Sequence, residues 1–117
     1  MSELNKIALK ILSNGKGILA ADESNGTMTK RLESVNIKSS PENRLIFRET
    51  LFTSDCMKDC IGGVILYDET INQRSNDEKT IPAKISETEA VPGIKVDTGA
   101  KDLANSLDEK LPKGWMD

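Results

Sequence analysis

The sequence predicts an α/β fold built on a parallel sheet. Three observations carry the prediction. Short apolar runs alternate with stretches of helical periodicity. The runs are nearly continuous, the pattern of strands covered on both faces. Each run also stops at acidic residues, where the carboxyl ends of parallel strands would open on a ligand site. The order strand, helix, strand, connector, strand fits either an open doubly wound sheet or part of a β/α barrel.

The elements follow in order. Leu4, Ile7, Ala8, Ile11 and Leu12 recur at i, i+3, i+4, i+7, i+8, which predicts an amphipathic helix. Asn14-Gly15 ends it, because both residues tolerate a left-handed cap. "GILAA", Gly17 to Ala21, is long enough for a strand and too short for a helix. "ESNGTM" reads as a polar turn centred on Gly26, followed by a short helix over roughly Thr27 to Val35. Ser40 is a candidate N-cap, Pro41 suits the first helical position and Glu42 adds favourable charge to the first turn. That helix is predicted to run through "NRLIFRETLFTSDCMKD", with Leu45, Phe47, Leu51, Phe52 and Met57 on its buried side. "IGGVILY", Ile61 to Tyr67, is the second strand and "VPGIKVD", Val91 to Asp97, the third. The connector "NQRSNDEKTIPAKISETEA" shows no strong period, and the tail after Asp97 reads as loop.

Composition bounds the function. The 117 residues suffice for one domain, but only four are aromatic, so few large side chains can fill a core. A net charge of -3 with no basic cluster gives no footprint for a nucleic-acid partner. No apolar run approaches the ~18 residues of a membrane span, and the amino terminus lacks a signal-peptide core, so a cytoplasmic location is expected. Cys56 and Cys60 are the only cysteines; four apart on a helix, they read as core filler rather than as metal ligands or a disulfide. The chain has no histidine, which removes the commonest zinc ligand and the usual general base.

All three predicted strands end in polar groups: Asp22, Glu23 and Ser24 after the first, Asp68, Glu69 and Thr70 after the second, Asp97 after the third. A single such acid can be a solvated turn; three at one sheet edge point to a site. Lys95 lies within the third apolar run, between Ile94 and Val96. A lysine there must be paired or must face a polar cavity. It is a structural salt bridge with Asp22 or Asp97 across neighbouring strands, a residue of an exposed edge strand, or a functional amine. By side-chain alternation Ile18, Ala20 and Asp22 share one face, and if that face is the cavity side, Asp22 and Lys95 converge. The turn "SNGT" offers the hydroxyls of Ser24 and Thr27 at a helix start, a setting suited to a phosphate, although an ordinary turn with an N-cap has the same residues. Arg31 stands one helical turn beyond, either as an anion contact or as a solvated arginine.

Four blocks, "GKGILAADESNGTMTKRLESVNI", "ENRLIFRETLF", "CIGGVILYDETI" and "VPGIKVDTGAKDLA", closely resemble class I fructose-bisphosphate aldolases in order and spacing. The resemblance implies a (β/α)8 TIM barrel that reversibly cleaves fructose 1,6-bisphosphate to dihydroxyacetone phosphate and glyceraldehyde 3-phosphate in glycolysis. A lysine Schiff base would draw electrons from the breaking carbon–carbon bond, with no cofactor and no metal. The absence of histidine agrees with this route and argues against the zinc-dependent class. The resemblance gives Asp22 a role at the reacting carbon and places Lys95 in the active site near the distal phosphate. It puts Ser24 and Thr27 around that phosphate and makes Arg31 a phosphate contact. The expected partner is a sugar-phosphate substrate, and family members are usually homo-oligomers.

The chain departs from the family in length. A complete barrel takes about 250 residues. Residues 1–117 therefore read as a single incomplete domain: the first three parallel strands of a partial barrel with their helices. No lysine here matches the family's Schiff-base position, and Leu45 stands where many members carry a basic residue. The isolated chain is expected to fold poorly or associate, and to lack turnover. Two other readings are a non-catalytic module that binds sugar phosphates or a protein partner, and an unrelated α/β protein with a structural Lys–Asp pair.

Overall fold

The computed structural model describes residues 2–96, together with the backbone of residues 100–102 and 110–112. The first helix, α1 (Glu3–Leu12), starts at Ser2, whose hydroxyl accepts the Asn5 N–H at 3.2 Å. It ends in a short 3-10 turn where Asn14 (φ 56°) and Gly15 (φ 73°) both take the left-handed conformation. Strand β1 (Gly17–Ala21) matches its predicted span. Helix α2 (Asn25–Glu33) begins two residues before the predicted start, because Ser24 caps it by accepting the Thr27 N–H.

Helix α3 (Pro41–Phe52) is capped by Ser40 as expected, but it stops at Phe52. The Thr53 and Ser54 hydroxyls lie in the break that follows, and a separate short helix, α4 (Met57–Cys60), leads into strand β2 (Ile61–Leu66). The predicted single helix through Asp59 is thus two. Its buried face also differs: Phe47 and Leu51 are 37% and 39% exposed, whereas Arg44, Arg48 and Phe52 are buried. Cys56 and Cys60 are exposed and fill no core.

Helix α5 (Asp68–Ile71) follows β2 directly. The connector holds α6 (Ile81–Glu87), capped by Thr80 with Pro82 in its first turn. Strand β3 (Val91–Ile94) ends three residues before the predicted boundary, and Asp97 lies outside the described residues. The segments β4 (Ala100–Asp102) and β5 (Lys110–Pro112) pair antiparallel where the sequence reads as loop.

Strands β1, β2 and β3 form one parallel sheet in that order. Its two faces are unequal. Ala21, Val64 and Leu66 pack with Phe52, Met57, Ile81, Ile85 and Ala90 from the helical side, forming the core. Registered rows on the opposite face are Ile18, Gly63 and Val91, then Ala20, Ile65 and Gly93. That face is open: Ile18 is 54% exposed. Helices on one face distinguish a barrel segment from a doubly wound sheet, which is covered on both. The amino end of the open face is closed by α1. A Cβ on Gly62 would sit 1.7 Å from the Ile11 carbonyl oxygen, so only glycine permits this approach.

Candidate active site

The open face carries its polar groups at the carboxyl end. Ala20, Ile65 and Gly93 form one registered row, and Asp22 and Lys95 each lie two residues beyond it. Side-chain alternation therefore sends both toward the same face. The Lys95 ammonium stands 3.6 Å from Oδ2 of Asp22, with both side chains partly exposed. Their strands are not neighbours. β2 lies between them, so the pair spans two strand spacings of about 4.8 Å each. Lys95 lies just past β3, yet its N–H donates to the Leu66 carbonyl at 2.9 Å and so continues the ladder. A partly exposed pair of this kind contributes only about 0.2–1 kcal/mol to stability. Chemically it sets an oxygen acceptor beside a cation at the mouth of the sheet.

The hydroxyls of Ser24 and Thr27 are engaged with each other. Ser24 Oγ accepts the Thr27 N–H at 3.3 Å and donates to Thr27 Oγ1 at 3.2 Å. Both residues remain exposed at the start of α2, where the first N–H groups have no partner within the helix. Arg31 pairs with Glu23 at 2.5 Å, which returns its guanidinium to the end of β1.

Sequence reasoning missed a second group of residues. Arg44 donates Nε to Oε1 and Nη2 to Oε2 of Glu69, each at 2.8 Å, and Nη1 to Ser39 Oγ at 2.9 Å. Asn25 adds a longer bond to Glu69 Oε2 at 3.4 Å. The Arg44 hydrogen bond is the main reason that Glu69 titrates below the ordinary 4.5, against a smaller opposing effect of burial. The same bond raises the Arg44 pKa above the usual arginine value. Arg48 is wholly buried. It donates Nη1 to Thr70 Oγ1 at 2.6 Å and Nη2 to the Glu23 backbone carbonyl, and its Cζ lies 5.7 Å from the centre of the Tyr67 ring. Burial lowers the Arg48 pKa, while the Glu23 and Glu69 carboxylates oppose that shift. A signal for both arginines was present: Arg44, Arg48 and Phe52 recur every four residues, the spacing of one helix face. Of the polar residues after β2, Asp68 is exposed, Glu69 is held by Arg44 and Thr70 is buried against Arg48.

Among the described residues no three His, Cys, Asp or Glu side chains are grouped to hold a metal ion, and no helix is long and apolar enough to cross a membrane. A cavity of about 400 Å³ lies between the ends of α3, α4 and α6, lined by Phe52, Ser54, Met57, Lys58, Lys84 and Glu87 among others.

Comparison with known proteins identifies the relatives of this chain. The family model described as fructose-bisphosphate aldolase class-I matches residues 3–117. Fructose-bisphosphate aldolase of Schistosoma mansoni is 44% identical over 117 residues, covering 99% of this chain and 32% of that protein. Aldolase B of Gallus gallus is 48% identical over 112 residues, covering 95% of this chain and 31% of that protein. The cytosolic fructose-bisphosphate aldolase 5 of Arabidopsis thaliana is 46% identical over 112 residues, covering 96% of this chain and 31% of that protein. Among solved structures, the fructose-bisphosphate aldolase of Plasmodium falciparum, in a ternary crystal with TRAP and a small-molecule inhibitor, superposes with a TM-score of 0.84 at 36% identity. The match covers 96% of this chain and 32% of that one. The chain spans about a third of the length of the curated relatives it matches.

Proposed function

Because the chain belongs to the class-I fructose-bisphosphate aldolase family, we propose that its strand-end site serves the reversible cleavage of fructose 1,6-bisphosphate in glycolysis. The products are dihydroxyacetone phosphate and glyceraldehyde 3-phosphate, and the working compartment is the cytoplasm. The single observation behind this reading is the Lys95–Asp22 pair at 3.6 Å, set beyond the carboxyl ends of parallel strands. Asp22 supplies a carboxylate oxygen for the substrate hydroxyl that loses its proton as the bond breaks. Lys95 holds that carboxylate in place across the sheet end and offers its ammonium to nearby phosphate oxygen. Ser24 and Thr27 at the start of α2, and Arg31 from its last turn with the guanidinium reaching back to Glu23, supply donors for the distal phosphate. The electron sink of the reaction is a Schiff-base lysine, and no lysine of this chain matches that position.

Residues 1–117 accordingly form one incomplete barrel domain, and this chain alone binds sugar phosphate without turning it over. Full-length family members are expected usually to be homo-oligomers. A purely binding role, with no part in catalysis, is the second reading; the exposed hydroxyls of Ser24 and Thr27 at the start of α2, without a matching Schiff-base lysine, favour it.

The test is titration of the purified chain with fructose 1,6-bisphosphate, followed by borohydride reduction in the presence of dihydroxyacetone phosphate. Saturable binding that Lys95→Met and Asp22→Asn weaken is the expected result, with no covalent adduct. Binding indifferent to both substitutions overturns the site, and a specific reduced adduct on one lysine returns catalysis to this chain.

A further inference from the structure

We propose that Arg48 is a positioning residue for the strand-end site, fixing the Asp22 carboxylate against Lys95 by clamping the peptide that follows it. The proposal rests on the reading of Asp22 and Lys95 as a working pair.

Arg48 reaches two loops at once. One guanidinium nitrogen holds the carbonyl of Glu23, the residue immediately after Asp22. Another holds the Thr70 hydroxyl, itself buried in the helix that begins directly after β2. That helix is anchored a second time, through Glu69 on Arg44. The ends of β1 and β2 are thus braced against α3 by two arginines one turn apart. The end of β3 is braced on β2 by the Lys95 N–H on the Leu66 carbonyl. With the backbone fixed on both sides, Asp22 and Lys95 have only side-chain rotamers left to vary.

Stability alone does not account for Arg48. Among the described residues no carboxylate forms an ion pair with it: the Glu23 and Glu69 carboxylates act on it only at longer range, and its direct partners are a carbonyl, a hydroxyl and a ring face. A buried ion is costly, and an apolar side chain of similar volume commonly stabilises as well or better. An apolar residue, however, would leave the Glu23 carbonyl unpaired and the β1 end free to shift. The planar fork of arginine bridges two acceptors that a lysine ammonium cannot hold in the same geometry.

The test is limited acetylation of the full 117-residue chain, with each lysine followed by mass spectrometry. An ammonium held by a carboxylate must leave the pair before it reacts. Lys95 in the wild type is expected to react more slowly than the exposed Lys10 and Lys58. Asp22→Asn should speed Lys95 by about 1.4- to fivefold, the factor that a partly exposed pair supplies. Arg48→Met should do the same while leaving Lys10 and Lys58 unchanged, the double variant should exceed neither single one, and Arg48→Lys should fall between. If Arg48→Met and Arg48→Lys leave Lys95 at the wild-type rate while Asp22→Asn raises it, Arg48 positions nothing. A rise shared by Lys10 and Lys58 in both Arg48 variants assigns it a general structural role instead. No change in Asp22→Asn removes the pair, and with it the functional reading as well as this one.

Discussion

Arg44 grips Glu69 as a two-pronged fork, Nε on Oε1 and Nη2 on Oε2, each at 2.8 Å. The paired geometry makes this the strongest ionic contact between α3 and α5. Its pH dependence has a definite sign. The folded-state pKa of Glu69 lies below the ordinary 4.5, chiefly because of this hydrogen bond. The stabilisation is therefore complete above about pH 4.5 and is lost as pH falls through the folded value. Glu69→Gln should cost about 2 kcal/mol at pH 7. It should also lose less stability than the wild type on going from pH 6 to pH 3. Urea midpoints across that range check both.

Phe52 is the largest apolar side chain of the core, and it joins α3 to Val64, Leu66 and the α6 residues Ile81 and Ile85. With few aromatic residues in the sequence, no neighbour of similar size can fill its place. Phe52→Ala should cost about 3–5 kcal/mol. Thermal melting followed by circular dichroism checks this: a lowered or lost transition is expected, and a transition unchanged from the wild type would show that Phe52 is not buried in solution.

Gly62 allows the α1 backbone to approach the sheet, and the half-buried Ile11 side chain lies against the neighbouring Gly63. Gly62→Ala must push Ile11 away, at an expected cost of about 1–3 kcal/mol. The effect should be local: hydrogen exchange should quicken in α1 and at the start of β2, while α3 and α6 keep their protection.

The open sheet face and the outer side of α1 leave apolar surface uncovered, with Ile18, Leu12 and Leu4 among the exposed residues. The chain should associate as concentration rises through the micromolar range, read as an increase in sedimentation coefficient. Ile18→Lys should reduce that association without changing helix content. A monomer of constant mass from 1 to 100 μM would contradict the expectation.

Local signals in the sequence were sufficient for β1, the cap at Ser40 and the left-handed pair at Asn14-Gly15, because each depends on residues within one turn of itself. The predicted convergence of Asp22 and Lys95 required only strand parity. Parity could not show that β2 separates them; strand order is set by long-range pairing. The buried side of α3 was misread for a different reason. Its burial is polar, and a search for apolar periodicity passes over Arg44 and Arg48, whose partners lie more than 20 residues away. Helix α6 was hidden by its shortness: seven residues with two buried isoleucines give too little period to stand out from a polar connector. The tail pairing of β4 with β5 has no local turn signature of the tight-hairpin kind.

Because Ile11 meets Gly62 backbone to backbone at the amino end of β2, while Asp22 and Lys95 meet by flexible side chains at the other, the two rims of the sheet differ in how they can evolve. One rim admits no extra atom without moving a helix. The other can exchange its chemistry residue by residue, so new specificities in this scaffold should accumulate at the upper rim while the lower one stays invariant.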